Sequence, residues 1–311
     1  MGLINSLLKN RMAKKEFVIP NSIWNLLASV LLHIKRSWIK SRMTFLSFFC
    51  QLSMISKKNF ETLPIVLFLT FILNIRESKA QDTTIISPQL HVVKYSEQLY
   101  LHISKRVDPT LGSFTCNGIV FISEPGKVWL YDTPMDDSVT MQLTNWIISE
   151  LNCTVEALIP NHFHADCIGG LDVLAREFPQ IYVIANKLTY DLLDDDLKNL
   201  GILYFLFDEI SPFEKVQHYY LGAGHATDNI VAWFPEENVL FAGCMVKAKE
   251  NQSIGFIGSA DLKEWPKTIR RVRRKFKKAQ VVIPGHGKTG NTALFEHTLN
   301  VISEYKKENK D

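Results

Sequence analysis

The stretch Asn161-His-Phe-His-Ala-Asp-Cys-Ile-Gly-Gly170 places His162, His164 and Asp166 at alternate positions, directly after a mostly apolar run over 155–159. The run predicts a buried strand, so the three side chains would stand on the loop at its C-terminal end. Imidazole nitrogens and carboxylate oxygens are ligands of zinc and related metals. The stretch therefore predicts a metal site at the edge of a sheet.

Three further residues of metal-ligand type stand on separate segments. They are His225 in Gly224-His-Ala-Thr-Asp228, Cys244 in Gly243-Cys-Met-Val-Lys247, and His286 in Pro284-Gly-His-Gly287. Three imidazoles, from His162, His164 and His225, match the neutral ligand set of a catalytic zinc with one open position. Asp166, Cys244 and His286 can hold a second metal. Two metals side by side indicate hydrolysis.

Strands and helices are predicted in two similar sets. Apolar runs predict strands over 99–103, 117–122, 128–131, 155–159, 181–184, 217–221, 230–234, 239–242 and 281–283. Helical spacing predicts helices over 136–151, from about 169, over 186–195, over 262–276 and over 291–307. Every ligand segment follows a predicted strand, where loops on a rigid sheet commonly place chemistry. This order suggests two sheets packed face to face between helical layers.

The first 80 residues differ in composition from the rest. Residues 54–80 begin with Met54, followed by Lys57 and Lys58, an apolar run over 63–75 and a small residue, Ala80, before Gln81. This is the pattern of a secretory signal peptide, and its apolar core is shorter than the roughly 20 residues of a membrane span. For residues 1–53 we favour a misassigned start codon over an amphipathic or membrane-inserted extension.

Removing the leader reverses the charge balance. Residues 1–80 hold 12 Lys and Arg against 3 acids, which leaves 23 basic and 29 acidic residues, a net charge of −6. A nucleic-acid partner is not expected, because it would need a basic field over the domain. The basic cluster at Arg270–Lys278 lies on an amphipathic helix, with Asp261 and Glu264 spaced as a capping box. A solvated outer face explains its charges better than a phosphate or lipid site.

The cysteines of the exported part show no tight spacing typical of a disulfide framework. Cys244 is assigned to metal. Cys116 and Cys153 are expected to be small buried residues, and Cys167 is expected to line the metal pocket without binding.

Four motifs resemble the signature set of the metallo-β-lactamases of class B, subclass 1, over nearly all of residues 90–305. They are His162-Phe-His164-Ala-Asp166 with Gly169-Gly170, Gly224-His225-Ala-Thr-Asp228-Asn229, Gly243-Cys244-Met-Val-Lys247 and Pro284-Gly-His286-Gly287; Asp132-Thr133-Pro134 is also similar to a family motif. His-x-His-x-Asp alone identifies only the superfamily, whose thioester hydrolases and nucleases usually carry a second histidine where this chain has Cys167. Cys244 with Lys247 is the discriminating pair.

The resemblance implies an α+β fold, the αβ/βα four-layer sandwich in which two packed β-sheets are flanked by helices, over residues 81–311. It implies two zinc ions and hydrolysis of penicillins, cephalosporins and carbapenems by a zinc-bound hydroxide, with Asp166 orienting that hydroxide. Lys247 would meet the carboxylate of the substrate. The segment Asp108 to Cys116 resembles the family's mobile flap. The expected protein is a monomeric, periplasmic enzyme that meets a membrane only through its export leader.

One position departs from the family pattern. The family commonly has Ser-Leu-Gly-Asn-Leu-Gly-Asp-Ala, whose Asn hydrogen-bonds the developing oxyanion, and here the stretch reads Ser253-Ile-Gly-Phe256-Ile-Gly-Ser259-Ala260. Phe256 offers no donor, but zinc can polarise the carbonyl, so we expect retained activity with an altered substrate profile. Two alternatives stay open: another hydrolase of this fold, such as a thioesterase or lactonase, or a periplasmic zinc-binding protein without turnover.

Overall fold

The computed structural model describes residues 82–109, 112–213 and 215–309, and within these ranges thirteen strands form two sheets. The larger sheet has the order β1 to β8: Thr83–Ser87, Leu90–Lys94, Leu99–Asp108, Gly112–Glu124, Lys127–Tyr131, Thr154–Ile159, Tyr182–Asn186 and Leu203–Phe207. The smaller sheet has the order β13-β12-β11-β10-β9, where β9 to β13 are Ile210–Pro212, Gln217–Tyr220, Ile230–Phe234, Val239–Gly243 and Val281–Pro284.

Seven helices occur in the same ranges and cover the outer faces of the sheets. They are α1 Asp137–Leu151, α2 Ala165–Ile168, α3 Leu171–Glu177, α4 Lys187–Leu192, α5 Asp195–Lys198, α6 Trp265–Lys275 and α7 Ala293–Glu308. Among the described residues, no helix combines the length and the apolar character needed to span a membrane. The predicted leader, residues 1–80, lies outside the described residues.

Three apolar cores define four layers. The first lies between the larger sheet and its helices, where α1 buries Val139, Leu143, Trp146 and Ile147 as its spacing predicted. The second lies between the two sheets, and the third joins the smaller sheet to α6 and α7. The two packed sheets flanked by helices confirm the predicted fold class.

Four short strands at or beside the sheet edges were missed by the sequence analysis; pairing with neighbouring strands keeps them extended. These are β1, β2, β8 and β9. The helix expected from about Gly169 is α3, which begins at Leu171, and the preceding one-turn helix α2 was not predicted. The helix expected over 186–195 is α4, which ends at Leu192, and α5 follows it as a separate turn.

Buried amide groups link the two sheets beside the ligand loops. Asn117 on β4 donates from Nδ2 to the carbonyl oxygens of Pro284 and Gly287, at 2.8 Å each, and its backbone N–H donates to Gly285 O at 2.8 Å. Asn117 therefore attaches the larger sheet to the loop that carries His286.

We expect Asn117→Ala to lower the free energy of unfolding by about 2 to 3 kcal/mol, because two carbonyl groups would lose their donors in a buried environment. Urea unfolding of the metal-free protein at neutral pH measures this. The matched control is Asn199→Ala at an exposed position, which should change stability by less than about 0.5 kcal/mol. Equal effects of the two substitutions would contradict the assigned role.

Candidate metal centre

Hydrogen bonds to the Asp132-Thr133 motif hold the loop after β6. Asp132 has a positive φ of 58° and its buried Oδ1 accepts the backbone N–H of Asn161 at 2.6 Å. Thr133 donates its N–H to Cys167 O at 2.9 Å, and its Oγ1 accepts the N–H of Gly170 at 2.8 Å. These bonds fix both ends of the segment that carries His162, His164 and Asp166.

Cys244 and His286 come together because β12 and β13 are parallel neighbours whose C-terminal ends meet at one sheet edge. Glycine is required at two adjacent points. Gly243 has φ 55°, and a Cβ there would lie 2.2 Å from the Asn161 side chain; a Cβ on Gly285 would lie 2.3 Å from Cys244 Sγ. The space beside the Cys244 thiol thus depends on glycine, which has no side chain, at both positions.

Three imidazoles converge in the first cluster. The ring centroid of His162 lies 4.5 Å from that of His164 and 5.1 Å from that of His225, and His164 and His225 are 5.1 Å apart. His162 Nε2 lies 2.8 Å from His164 Nδ1. The nitrogens of His162 and His164 therefore face the same small space.

The second cluster gathers an oxygen, a sulfur and a nitrogen. Asp166 Oδ2 lies 3.1 Å from both Cys244 Sγ and His286 Nε2, and Sγ lies 3.3 Å from that same nitrogen. His286 Nδ1 donates to Thr115 O at 2.9 Å, which turns Nε2 toward the cluster. Asp166 Oδ1 lies 3.7 Å from His162 Nε2, so the one carboxylate faces both clusters.

Burial sets the protonation of the first cluster. It lowers the pKa of His162 to about 3 and that of His225 to about 2, and it also lowers the pKa of His164. The three imidazoles are therefore neutral at pH 7, which is the form that binds metal.

The second cluster behaves differently. Although burial lowers the pKa of His286, hydrogen bonds and charge from Asp166 and Cys116 outweigh burial and raise it to about 10. Burial raises the pKa of Asp166, but at the low pH where this carboxylate titrates, the charges of His162 and His286 and hydrogen bonds from His286 and Cys244 outweigh burial and hold the pKa below its usual range. A proton on His286 thus occupies the place that a metal would take.

Several donor atoms lie close enough together to hold metal. The candidate ligand atoms of Asp166, Cys244 and His286 all lie within 4.8 Å of one another, and so do those of His162, His225 and Cys244. Nitrogen, sulfur and carboxylate oxygen are the donors that zinc prefers. The structure therefore brings all six residues predicted as ligands to one place.

Lys247 lies beside the clusters and is not a solvated surface lysine. Only 6% of its surface is exposed, its backbone N–H donates to Thr298 Oγ1 at 2.9 Å, and its Nζ lies 5.4 Å from the ring centroid of Trp265. Burial lowers its pKa, while Cys244 and Asp166 oppose that effect. Within the described ranges Lys247 makes no ion pair, so its ammonium is available to an anionic ligand.

Aromatic rings surround the imidazoles. Phe256 is 56% exposed, with its centroid 5.5 Å from His164 and 6.4 Å from His225. Phe163 lies 4.5 Å from His164, and Phe114, on the segment compared with a flap, lies 5.6 Å from His286. Phe256 thus lies at the solvent-exposed side of the imidazole cluster, and its side chain has no hydrogen-bond donor.

All four cysteines of the described residues are free and buried. Cys167 Sγ lies 3.0 Å from His162 Nδ1 and within 4.8 Å of ligand atoms of His162 and Asp166, so its role as a residue that only lines the pocket stays a prediction. Cys116 is more than a packing residue, because its thiol reaches His286. No sequence pattern indicated these contacts of Cys116 and of the Thr115 carbonyl, since both arise from pairing between distant segments.

Ser259 and Asn161 were also not identified as site residues. Ser259 Oγ lies 3.0 Å from His164 Nε2. Asn161 connects three loops, with its side chain bonded to Ile230 O and to Asn229 Nδ2. The position of Asn161 next to His162 is the one feature that could have drawn attention to it.

Comparison with known proteins identifies a family and relatives that this chain resembles. Residues 112–286 match the family model described as metallo-beta-lactamase superfamily. The chain is 41% identical over 230 residues to a metallo-beta-lactamase type 2 of Bacteroides fragilis, covering 73% of this chain and 90% of that protein. A metallo-beta-lactamase type 2 of Pseudomonas aeruginosa is 31% identical, covering 72% and 88%.

The solved structures agree with the sequence relatives. The crystal structure of VMB-1 at pH 5.5 superposes with a TM-score of 0.64 at 32% identity, covering 70% of this chain and 99% of that one. Relatives at this level of identity and coverage share one family as well as one fold. The chain therefore belongs to the metallo-beta-lactamase superfamily.

Proposed function

We propose that the protein is a zinc-dependent β-lactamase that hydrolyses the amide bond of β-lactam antibiotics. The observation that carries the proposal is the meeting of three neutral imidazoles with an Asp166, Cys244 and His286 cluster within a single small pocket. Its curated relatives are named metallo-beta-lactamases, which supports β-lactams as the substrate class.

Two zinc ions are proposed. His162, His164 and His225 would hold one, and Asp166, Cys244 and His286 would hold the other. When bound, zinc supplies a water of lowered pKa and a Lewis acid for the lactam carbonyl. The softer site with the thiolate is expected to lose its metal first.

The chain's own residues orient the reactants. Asp166 faces both clusters and stays ionised. It can therefore accept a hydrogen bond from the attacking water and direct the lone pair of that water toward the substrate. Thr115 O keeps the ring of His286 in place. These groups define where the nucleophile lies before the substrate arrives.

Lys247 and Phe256 would contact the substrate. The buried, unpaired ammonium of Lys247 fits the carboxylate that β-lactams carry beside the ring nitrogen. Phe256 provides an apolar surface where the family commonly has an amide donor, so polarisation of the carbonyl rests on the metal. We propose retained activity on penicillins, cephalosporins and carbapenems, with the relative preference changed.

Two other functions compete with this proposal. A thioesterase or lactonase of the same fold would use a similar metal pair, but Cys244 and the unpaired cation of Lys247 favour a carboxylated lactam. A zinc-binding protein without turnover is favoured only by Phe256. Ring opening of a chromogenic cephalosporin, compared with cleavage of a thioester, separates the three.

We expect the purified protein to open penicillins, a cephalosporin and a carbapenem, and to lose this activity in excess chelator. The loss is expected because the metal supplies the activated water. Absorbance at the lactam band measures the hydrolysis rate with and without chelator. Zinc should restore the rate, with saturation at two equivalents per chain. Chelator-resistant hydrolysis, or none with zinc present, would contradict the proposal.

The control for the second ion is Cys244→Ser. A hydroxyl is a poorer zinc ligand than a thiolate, so this variant should retain one tightly bound zinc by elemental analysis and lose most of its activity. Two tightly bound ions in Cys244→Ser would show that the thiol is not a ligand.

We expect Lys247→Met to raise KM about 10- to 100-fold with a smaller change in kcat, because a charged hydrogen bond to substrate contributes about 1.5 to 3 kcal/mol. Steady-state kinetics on a cephalosporin measure this, after zinc content confirms an intact centre. Lys249→Met, at an exposed position two residues away, is the matched control and should leave KM unchanged. An unchanged KM in Lys247→Met would exclude the role.

We also propose that the chain is exported to the periplasm as a monomer and cleaved after Ala80, as the leader pattern indicates. N-terminal sequencing of the exported product should then begin at Gln81, with residues 1–53 absent from it. A product that retains residues upstream of Met54 would show instead that the extension is part of the protein.

A further inference from the structure

His164 uses its two ring nitrogens for different purposes. Nδ1 lies 2.8 Å from His162 Nε2 and so faces the metal pocket, whereas Nε2 points away from it and lies 3.0 Å from Ser259 Oγ. Ser259 is 95 residues away in the sequence. With Nδ1 free to bind metal, the proton is on Nε2, and the Ser259 hydroxyl oxygen accepts a hydrogen bond from this N–H.

We propose that Ser259 is a positioning residue that fixes the tautomer and the ring plane of His164 for binding zinc at the first site. This inference rests on the metal centre proposed above. A histidine ligand usually donates its other N–H to a fixed partner, and loss of that partner typically weakens metal affinity 10- to 100-fold.

The backbone around Ser259 is held at several points. Ala260 donates its N–H to Ile257 O at 3.0 Å, and Asp261 donates its N–H to Gly224 O at 3.0 Å. Asp261 Oδ1 in turn accepts the N–H of Glu264 at 2.8 Å, just before α6 begins. The hydroxyl therefore has a fixed position, and the bond to Gly224 ties the same segment to the loop that carries His225.

Phe256 restrains the same imidazole from another direction. Its ring meets that of His164 at an interplanar angle of 76°, with centroids 5.5 Å apart. Gly258 makes room for it, since a Cβ there would lie 2.4 Å from the Phe256 ring. The segment 253–260 thus holds His164 with a hydroxyl at one nitrogen and an aromatic ring beside it.

The partner of His164 is neutral in this chain. The family stretch quoted above has an aspartate at the position of Ser259, and a carboxylate would raise the basicity of the imidazole as well as orient it. A serine hydroxyl only orients. Substitution of Ser259 therefore separates the two effects: alanine removes orientation, threonine keeps it, and aspartate adds charge.

The test measures zinc affinity at the first site alone, in the Cys244→Ser background, by competition with a chromogenic chelator. Ser259→Ala should weaken zinc binding about 10-fold, Ser259→Thr should stay within about 2-fold of the parent, and Ser259→Asp should bind more tightly. The matched control is Ser253→Ala, an exposed serine of the same segment, which should leave the affinity unchanged.

Thermal unfolding of the metal-free proteins distinguishes positioning from a structural role. Ser259→Ala should unfold at the temperature of its parent while its zinc affinity falls. Equal zinc affinity in Ser259→Ala and parent, or a loss that follows a matching loss of metal-free stability, would overturn the proposal. If the Cys244→Ser parent itself binds no zinc, the metal centre fails, and that result is distinct from a failure of Ser259.

Discussion

The site depends on one buried amide, that of Asn161, which joins the loops of both sheets. Its backbone N–H donates to Asp132, its backbone oxygen accepts the N–H of Ile230 at 2.9 Å, and its side chain bonds to Ile230 O and to Asn229. Gly243 lies against the same side chain, where no Cβ could fit. The segments carrying His162, His225 and Cys244 are thus fixed to one another by a side chain that binds no metal.

This arrangement explains how the predicted ligands, from four separate segments, come together in the fold. Bringing buried donors together has a free-energy cost, since burial disfavours charge on each imidazole and thiol. In the second cluster a shared proton on His286 and the charge of Asp166 offset that cost. The proposed metal would replace this proton with a stronger positive charge.

The sequence predicts well which strands the predicted ligands follow, and predicts poorly the hydrogen bonds that hold these residues in place. Each ligand lies at the end of an apolar strand, and the structure confirms this for the loops after β6, β10, β12 and β13. The contacts of Ser259 with His164 and of Thr115 with His286 were not predictable, because they join residues 95 and 171 positions apart. Serine and a backbone carbonyl carry no pattern that distinguishes a contact with a ligand from an ordinary turn.

Lys247 shows how tertiary context reverses the expectation for a single residue. A lysine in a loop is usually solvated, but here the ammonium lies near the Trp265 ring, and within the described part of the chain no acid forms an ion pair with it. A buried cation without a counter-ion is costly, and an anionic ligand removes part of that cost when it binds. The Phe256 ring lies beside His164 and offers no hydrogen bond. Under the proposed function, substrate recognition would rest on one cation and an apolar ring, and carbonyl polarisation would rest on the metal.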